Sequence, residues 1–214
     1  MMNIISNYKK VLSNINLTHK NVTIIAVSKT FKMKQIMPLI NFGHMHYGEN
    51  KVQEAIEKWT PDFIYQNNIQ LHMIGKLQSN KVDDAVNIFS YIHSLDNDKL
   101  ALKLSNEEKK INKHLRYFIQ VNIGSEPQKS GIALEIADDF INFCLNDLKL
   151  NVIGLMCLPP LNVDPTPFFR KLNIISKKNN LNDLSMGMSN DYLQAINSGA
   201  TYVRIGSGIF GERS

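Results

Sequence analysis

The chain has 214 residues, 43% of them hydrophobic and 20% charged, with a net charge of +5 and two cysteines. Those proportions suit a globular domain with a substantial core, and they argue against a nucleic-acid partner because the lysines are scattered rather than clustered. The longest apolar run, at 152–158, is far too short to cross a bilayer, which argues against a membrane partner.

The opening residues lack the apolar block of a signal peptide, and Ile5, Tyr8, Leu12 and Ile15 predict an amphipathic helix over 1–18 packed on the body. A β-like run at 22–27 leads to a helical pattern over 32–42 that Gly43 stops, with Pro38 predicting a kink or a late start. Runs at 45–47, 71–74 and 90–93 supply three more strands. Each is followed by helical spacing, as in Val52, Ala55, Ile56 and Trp59 or Val82, Ala85, Val86 and Phe89. Strands five and six are predicted at 117–123 and 152–156, the latter followed by a helix that Thr166 caps and Pro167 opens. Leu184 and Met186 mark the seventh strand, and Ser189 has the chemistry of the next N-cap. Gly199 ends that helix, and Thr201, Val203 and Ile205 alternate as an eighth strand.

Eight strand–helix units without an intervening linker imply a single α/β domain over 1–214. A (β/α)8 TIM barrel with an extra N-terminal helix fits best, and an open doubly wound sheet is the alternative. Barrels of this kind collect their functional groups at the C-terminal ends of the strands. The residues expected there are Ser28 and Lys29, Glu49 and Asn50, Gly75, His93 and Ser94, Asn122, Met156, Ser185, and Arg204 with Gly206.

Several of these groups carry two readings. Lys29 either snorkels out of a strand end or, desolvated in a barrel mouth, becomes an amine nucleophile able to form a Schiff base with a carbonyl. Gly206, Ser207 and Gly208 either make an ordinary turn or bring backbone N–H groups up to an anion. Arg204 either pairs with a carboxylate such as Glu49 or presents a fixed donor to a ring nitrogen or a phosphate. His72 and His93 are general-base candidates or satisfied core histidines. His44 and His46 form an HxH pair without an identifiable third ligand, so no metal site is expected. Cys144 and Cys157 read as buried free thiols.

The motifs AVSKT (26–30), YGENKVQEA (47–55), HMIGKLQSNK (72–81), VNIGSEPQKSG (121–131), GLMCLPP (154–160) and LSMGMSNDYLQAINSGATYVRIGSGIFGER (184–213) resemble the pyridoxal phosphate homeostasis protein family. The resemblance spans most of the chain. It implies a barrel similar to the N-terminal domain of alanine racemase, with pyridoxal 5′-phosphate (PLP) held as a Schiff base on Lys29. It further implies Arg204 facing the pyridine nitrogen, Asn50 beside the ring, Ser185, Gly206 and Ser207 holding the phosphate with Ser189 nearby, and Lys129 near the mouth. Two positions depart from the family pattern: Lys76 stands where proline is common, and the sequence stops at Ser214 without the acidic-aromatic ending.

The family implies a role in vitamin B6 homeostasis, and the charge on Arg204 argues the same way. Enzymes that use PLP as an electron sink usually pair its nitrogen with a carboxylate, and an arginine cannot supply that proton balance. The expectation is therefore a cytoplasmic carrier of PLP with little or no catalysis, monomeric, whose recipients are PLP-dependent apoenzymes. A racemase-like enzyme is the alternative, and it would need a second base, for which the sequence is expected to have no further domain.

Overall fold

The computed structural model describes residues 4–18 and 21–212, so residues 1–3 of the expected first helix lie outside the described residues. Eight parallel strands close into a barrel in chain order: β1 (Thr23–Val27), β2 (His46–Glu49), β3 (Gln70–Met73), β4 (Tyr91–Leu95), β5 (Arg116–Val121), β6 (Val152–Cys157), β7 (Asp183–Met188) and β8 (Tyr202–Ile205). Closure rests on the pairing of β1 with β8, which sets Ile25 opposite Arg204 and removes both free sheet edges. This pairing rules out the open doubly wound sheet.

Strand alternation divides the apolar residues between two cores. Tyr47, Leu71, Ile92, Ile119, Leu155 and Val203 pack outward, beneath the helices that follow each strand. Tyr91, Phe118 and Met156 form a smaller cluster joined by Tyr202. The rings of Phe118 and Tyr202 are 5.1 Å apart although β5 and β8 are not neighbours, so they meet across the barrel lumen. The lumen is packed, as small barrels require.

Helix α1 (Ile4–Asn16) buries Val11 and Ile15, with Ile5, Tyr8 and Leu12 half-buried against the same core. Asn7 Nδ2 donates to the carbonyl of Ile209, in the short final helix Ser207–Phe210, at 3.1 Å. Helix α2 (Met33–Asn41) runs through Pro38 without a late start. The Pro38 carbonyl still accepts from the Phe42 N–H at 3.1 Å, although its own nitrogen has no hydrogen to donate to the preceding turn. Among the described residues no helix is long and apolar enough to cross a membrane.

Four strands run further than the sequence suggests. β2 continues to Glu49, β4 to Leu95, β6 to Cys157 and β7 to Met188. His93, Met156 and Ser185, expected on the rim, are consequently buried inside the barrel.

Candidate functional site

A cavity of about 800 Å³ opens at the C-terminal ends of the strands. Lys29, Asn50, Ser189, Arg204, Gly206 and Ser207 line it, with Val27, Phe31, Ile74 and Leu158 as apolar wall. A smaller cavity of about 350 Å³ shares Asn50, Ile74 and Leu158 and adds Lys76, Gln120 and Lys129. Lys129 Nζ donates to the Pro159 carbonyl at 2.9 Å and pairs with Glu126 at 2.6 Å. The lumen-facing alternation of β3 and β6 carries on past the strand ends. Ile74 and Leu158 sit two residues beyond the lumen-facing His72 and Met156, a signal that would have found the wall.

Lys29 stands in the turn that leaves β1, and the residues around it are fixed from below. The Ser28 N–H donates to the Gly48 carbonyl at 3.0 Å, and Ser28 Oγ donates to Glu49 Oε1 at 2.7 Å. That same oxygen accepts from Lys58 Nζ and from Trp59 Nε1, each at 3.0 Å. Lys58 Nζ also donates to the Ser28 carbonyl at 2.9 Å. Thr30 adopts φ 70°, a left-handed conformation that costs about 1 kcal/mol for a side-chain-bearing residue, and its N–H donates to Glu54. Glu49 therefore pairs with Lys58, and the expected alternative of an ion pair with Arg204 is corrected.

Arg204 reaches the cavity from β8 and is 4% exposed. Its Nη1 donates to the carbonyl and to Oγ of Ser185, both at 2.7 Å, and its Nη2 to the Cys157 carbonyl at 3.0 Å. All of these acceptors are neutral. Burial pushes the guanidinium below the usual arginine range, yet such a group stays charged in proteins. The same burial pushes the Cys157 thiol up to about 12, which leaves it unreactive.

Two sequence expectations are corrected here. Ser185 does not line the cavity. It is fully buried on β7, with its hydroxyl committed to Arg204 and, at 2.9 Å, to His93 Nδ1. The carry-over to the phosphate fails because β7 runs on to Met188, which leaves Ser185 below the mouth. Ser189 does not cap the following helix (Tyr192–Asn197), whose N-cap position is Asp191. Its Oγ instead accepts from the N–H groups of Gly206 and Gly208, at 3.3 and 3.1 Å, across the loops after β7 and β8.

The remaining histidines sit elsewhere. His72 and His93 are fully buried in the lumen and do not reach the cavity. His44 Nε2 lies 2.8 Å from the His46 carbonyl, and no metal-binding group of three or more His, Cys, Asp or Glu occurs among the described residues.

The site fits an anionic aldehyde on its own chemistry. A primary amine, a buried guanidinium with no carboxylate partner among the described residues, and a hydroxyl–amide turn converge on one apolar-walled cavity. A Cβ at Gly208 would lie 3.0 Å from Ile205 Cγ2 and 3.5 Å from Ser189 Oγ, so the turn has no room to spare. Fold and site together define a barrel of the alanine racemase N-terminal domain type, and the family model of that description matches residues 2–214. Within that class the chain belongs to the pyridoxal phosphate homeostasis protein family. It is 37% identical over 199 residues to the pyridoxal phosphate homeostasis protein of Aquifex aeolicus, covering 89% of this chain and 86% of that one. It is 32% identical over 203 residues to that of Escherichia coli K12, covering 91% and 87%. PipY of Synechococcus elongatus, solved with PLP bound, superposes with a TM-score of 0.88 at 29% identity, covering 98% of this chain and 100% of PipY. The alanine racemase of Clostridium difficile 630 shares the fold, with a TM-score of 0.74 at 15% identity, over 99% of this chain and 57% of that one.

Proposed function

We propose that the chain is a single PLP-binding domain that holds the cofactor in the 800 Å³ cavity and serves PLP homeostasis. Lys29 holds the aldehyde as a Schiff base. Ser189, Ser207 and the Gly206 backbone take the phosphate, Asn50 lies beside the ring, and Arg204 faces the pyridine nitrogen. Ser185 acts beneath Arg204 as a positioning residue. The observation that carries this reading is convergence: Lys29, from the turn after the first strand, lines one cavity with Arg204 of the last strand and with Gly206 and Ser207 just beyond it. The PLP-bound state of PipY supports it.

Bound PLP supplies a carbonyl that an amine can hold and, when its ring nitrogen is protonated, an electron sink. A cationic guanidinium at that nitrogen disfavours protonation, so the sink is weak and the chain acts as a carrier rather than an enzyme. Among the described residues no histidine lines either cavity to serve as a second base. Release to PLP-dependent apoenzymes, a cytoplasmic location and a monomeric state complete the proposal.

The test is direct. Purified protein mixed with PLP is expected to gain a visible absorption band that borohydride discharges, with the reduced adduct mapping to the Lys29 peptide by mass spectrometry. Lys29→Ala is expected to give neither signal. A wild-type protein that forms no adduct, or forms it elsewhere, rejects the proposal; racemisation of free amino acids at enzymatic rates would favour the racemase alternative.

A further inference from the structure

Three histidines absent from the cavity form a continuous hydrogen-bonded column behind it. His46 Nδ1 is 3.0 Å from His72 Nε2, and His72 Nδ1 is 2.9 Å from His93 Nε2. His93 Nδ1 is 2.9 Å from Ser185 Oγ, which is 2.7 Å from Arg204 Nη1. The column crosses the lumen from half-buried His46, at the start of β2, to the guanidinium at the cavity. Its rings are clamped: Tyr91 stacks on His72 with centroids 4.1 Å apart, and Phe118 on His93 at 4.3 Å.

We propose that this column positions Arg204 through hydrogen bonds of one fixed direction, and that His46 is its port to the N-terminal end of the barrel. The direction follows from donor and acceptor counting. A guanidinium only donates, so Ser185 Oγ accepts from Arg204. The one hydroxyl proton of Ser185 then goes to His93 Nδ1. A neutral imidazole has one donor and one acceptor nitrogen, so His93 donates from Nε2 to His72 Nδ1, and His72 donates from Nε2 to His46 Nδ1. All three histidines are then Nε2–H tautomers. In the opposite direction Ser185 would accept from both neighbours, leaving its buried proton with no acceptor among the described residues, at a cost of about 1–3 kcal/mol.

The rings are neutral at pH 7. Burial holds His72 and His93 well below the ordinary histidine range, and Arg204 beside His93 adds to this. His46 is lowered by burial and by Arg116 of β5. Its ring also faces His44, His72 and Tyr91. His93 faces Tyr202 as well. One proton taken up by His46 puts N–H on both its nitrogens, so it can no longer accept from His72. His72 and His93 keep one proton each, moved from Nε2 to Nδ1, and Ser185 becomes the double acceptor. A charge at the far end of the barrel thereby weakens the seat of Arg204.

The tautomers stand independently of any ligand, whereas the consequence for PLP rests on the function proposed above. Long-range ¹H–¹⁵N imidazole spectra of the full-length labelled protein, assigned with His46→Gln, His72→Gln and His93→Gln, read the tautomers directly. At pH 7.5 all three are expected as Nε2–H; an Nδ1–H tautomer or an imidazolium at any of them overturns the proposal. On acidification, His72 and His93 are expected to switch to Nδ1–H as His46 gains its proton. Protonation of His46 with its neighbours unchanged overturns the port. His93→Gln retains an acceptor and a donor, whereas His93→Leu has neither. The leucine variant is expected to bind PLP about tenfold more weakly than the glutamine variant, matching one unsatisfied buried group. Equal affinities of the two overturn the positioning role. If the leucine variant does not fold, the wild-type spectra still decide, and a wild-type protein that binds no PLP refutes the cofactor reading without touching the tautomers.

Discussion

Ser28 and Glu49 are joined side chain to side chain at 2.7 Å, which locks the residue before Lys29 to the end of β2. Glu49 is fully buried and Lys58, its partner, has a side chain only 8% exposed. Removing the carboxylate takes one of two counter-charges from that ammonium, leaving Glu54 at 3.0 Å, and strips the buried Ser28 Oγ and Trp59 Nε1 of their acceptor. Glu49→Ala is therefore expected to cost about 3–5 kcal/mol of stability, the usual penalty for breaking a buried pair from one side. Glu49→Gln, which keeps an acceptor oxygen, is expected to cost clearly less. Urea denaturation midpoints check both, and an alanine variant within 1 kcal/mol of wild type (about the size of an exposed pair) would refute the buried-pair account.

Ser189 bridges the two loops that form the anion end of the cavity. Ser189→Ala removes the acceptor for the Gly206 and Gly208 N–H groups. These amides lie where water can reach them, since Gly206 is half-buried and Gly208 exposed. Stability is thus expected to change little, within about 0.5 kcal/mol. The shape of the turn is what suffers, and PLP affinity is expected to fall about tenfold, the equivalent of one hydrogen bond to a charged group. Fluorescence titration with PLP, paired with a thermal melt, separates the two effects.

The barrel was legible in the sequence because each strand is a short apolar run closed by glycine or polar residues, and every one of the eight lies within a few residues of its expected place. What periodicity could not supply was the depth of each residue along its strand. Ser185 and His93 look like rim residues only while β7 and β4 are thought to stop early, and the extra residues at their ends push both into the lumen. Ser189 shows the same limit in another form. Its neighbours spell a helix N-cap, but the hydroxyl is drawn to β8 by two amides that a local reading cannot see. The partner of Glu49 was likewise hidden, because Lys58 and Trp59 approach it only after the intervening helix (Val52–Lys58) has folded back onto the strand end.

Gly154 of β6 has less room for a side chain than any other glycine among the described residues. A Cβ there would lie 1.9 Å from the Asp183 carbonyl oxygen, so the pairing of β6 with β7 depends on its absence. The obstacle is backbone and cannot rotate away. Gly154→Ala is expected to destabilise the barrel by about 3 kcal/mol or more, at the upper end for an overpacked site. Gly206→Ala is the contrast: its Cβ would meet Val27 at an ordinary 3.5 Å, so a far smaller loss is expected. Parallel denaturant curves for the two variants test the difference, and equal losses would contradict it.

Acid stability follows from the histidines. Burial lowers His44 from 6.5 to about 4, and it holds His72 and His93 well below the ordinary range. In the unfolded chain each titrates near pH 6.5. Between that pH and the folded value, the unfolded state therefore binds more protons than the folded state, and stability falls as the pH falls. Between pH 7 and 8 these histidines are neutral in both states and add no slope. From about pH 6.5 down to 4, His44 alone is expected to remove about 3 kcal/mol, at ~1.4 kcal/mol per pH unit in the middle of that window. His72 and His93 steepen the slope. Glu108 and Asp183, whose carboxyl groups burial pushes up, oppose it nearer the carboxylate range, because the folded state then binds the extra proton. Urea titrations at pH 8, 6 and 5 are expected to give a midpoint that drops progressively. His44→Gln is expected to reduce the slope by about one proton, since its amide never charges. A midpoint independent of pH across this range would mean that the three rings are not neutral in the folded protein.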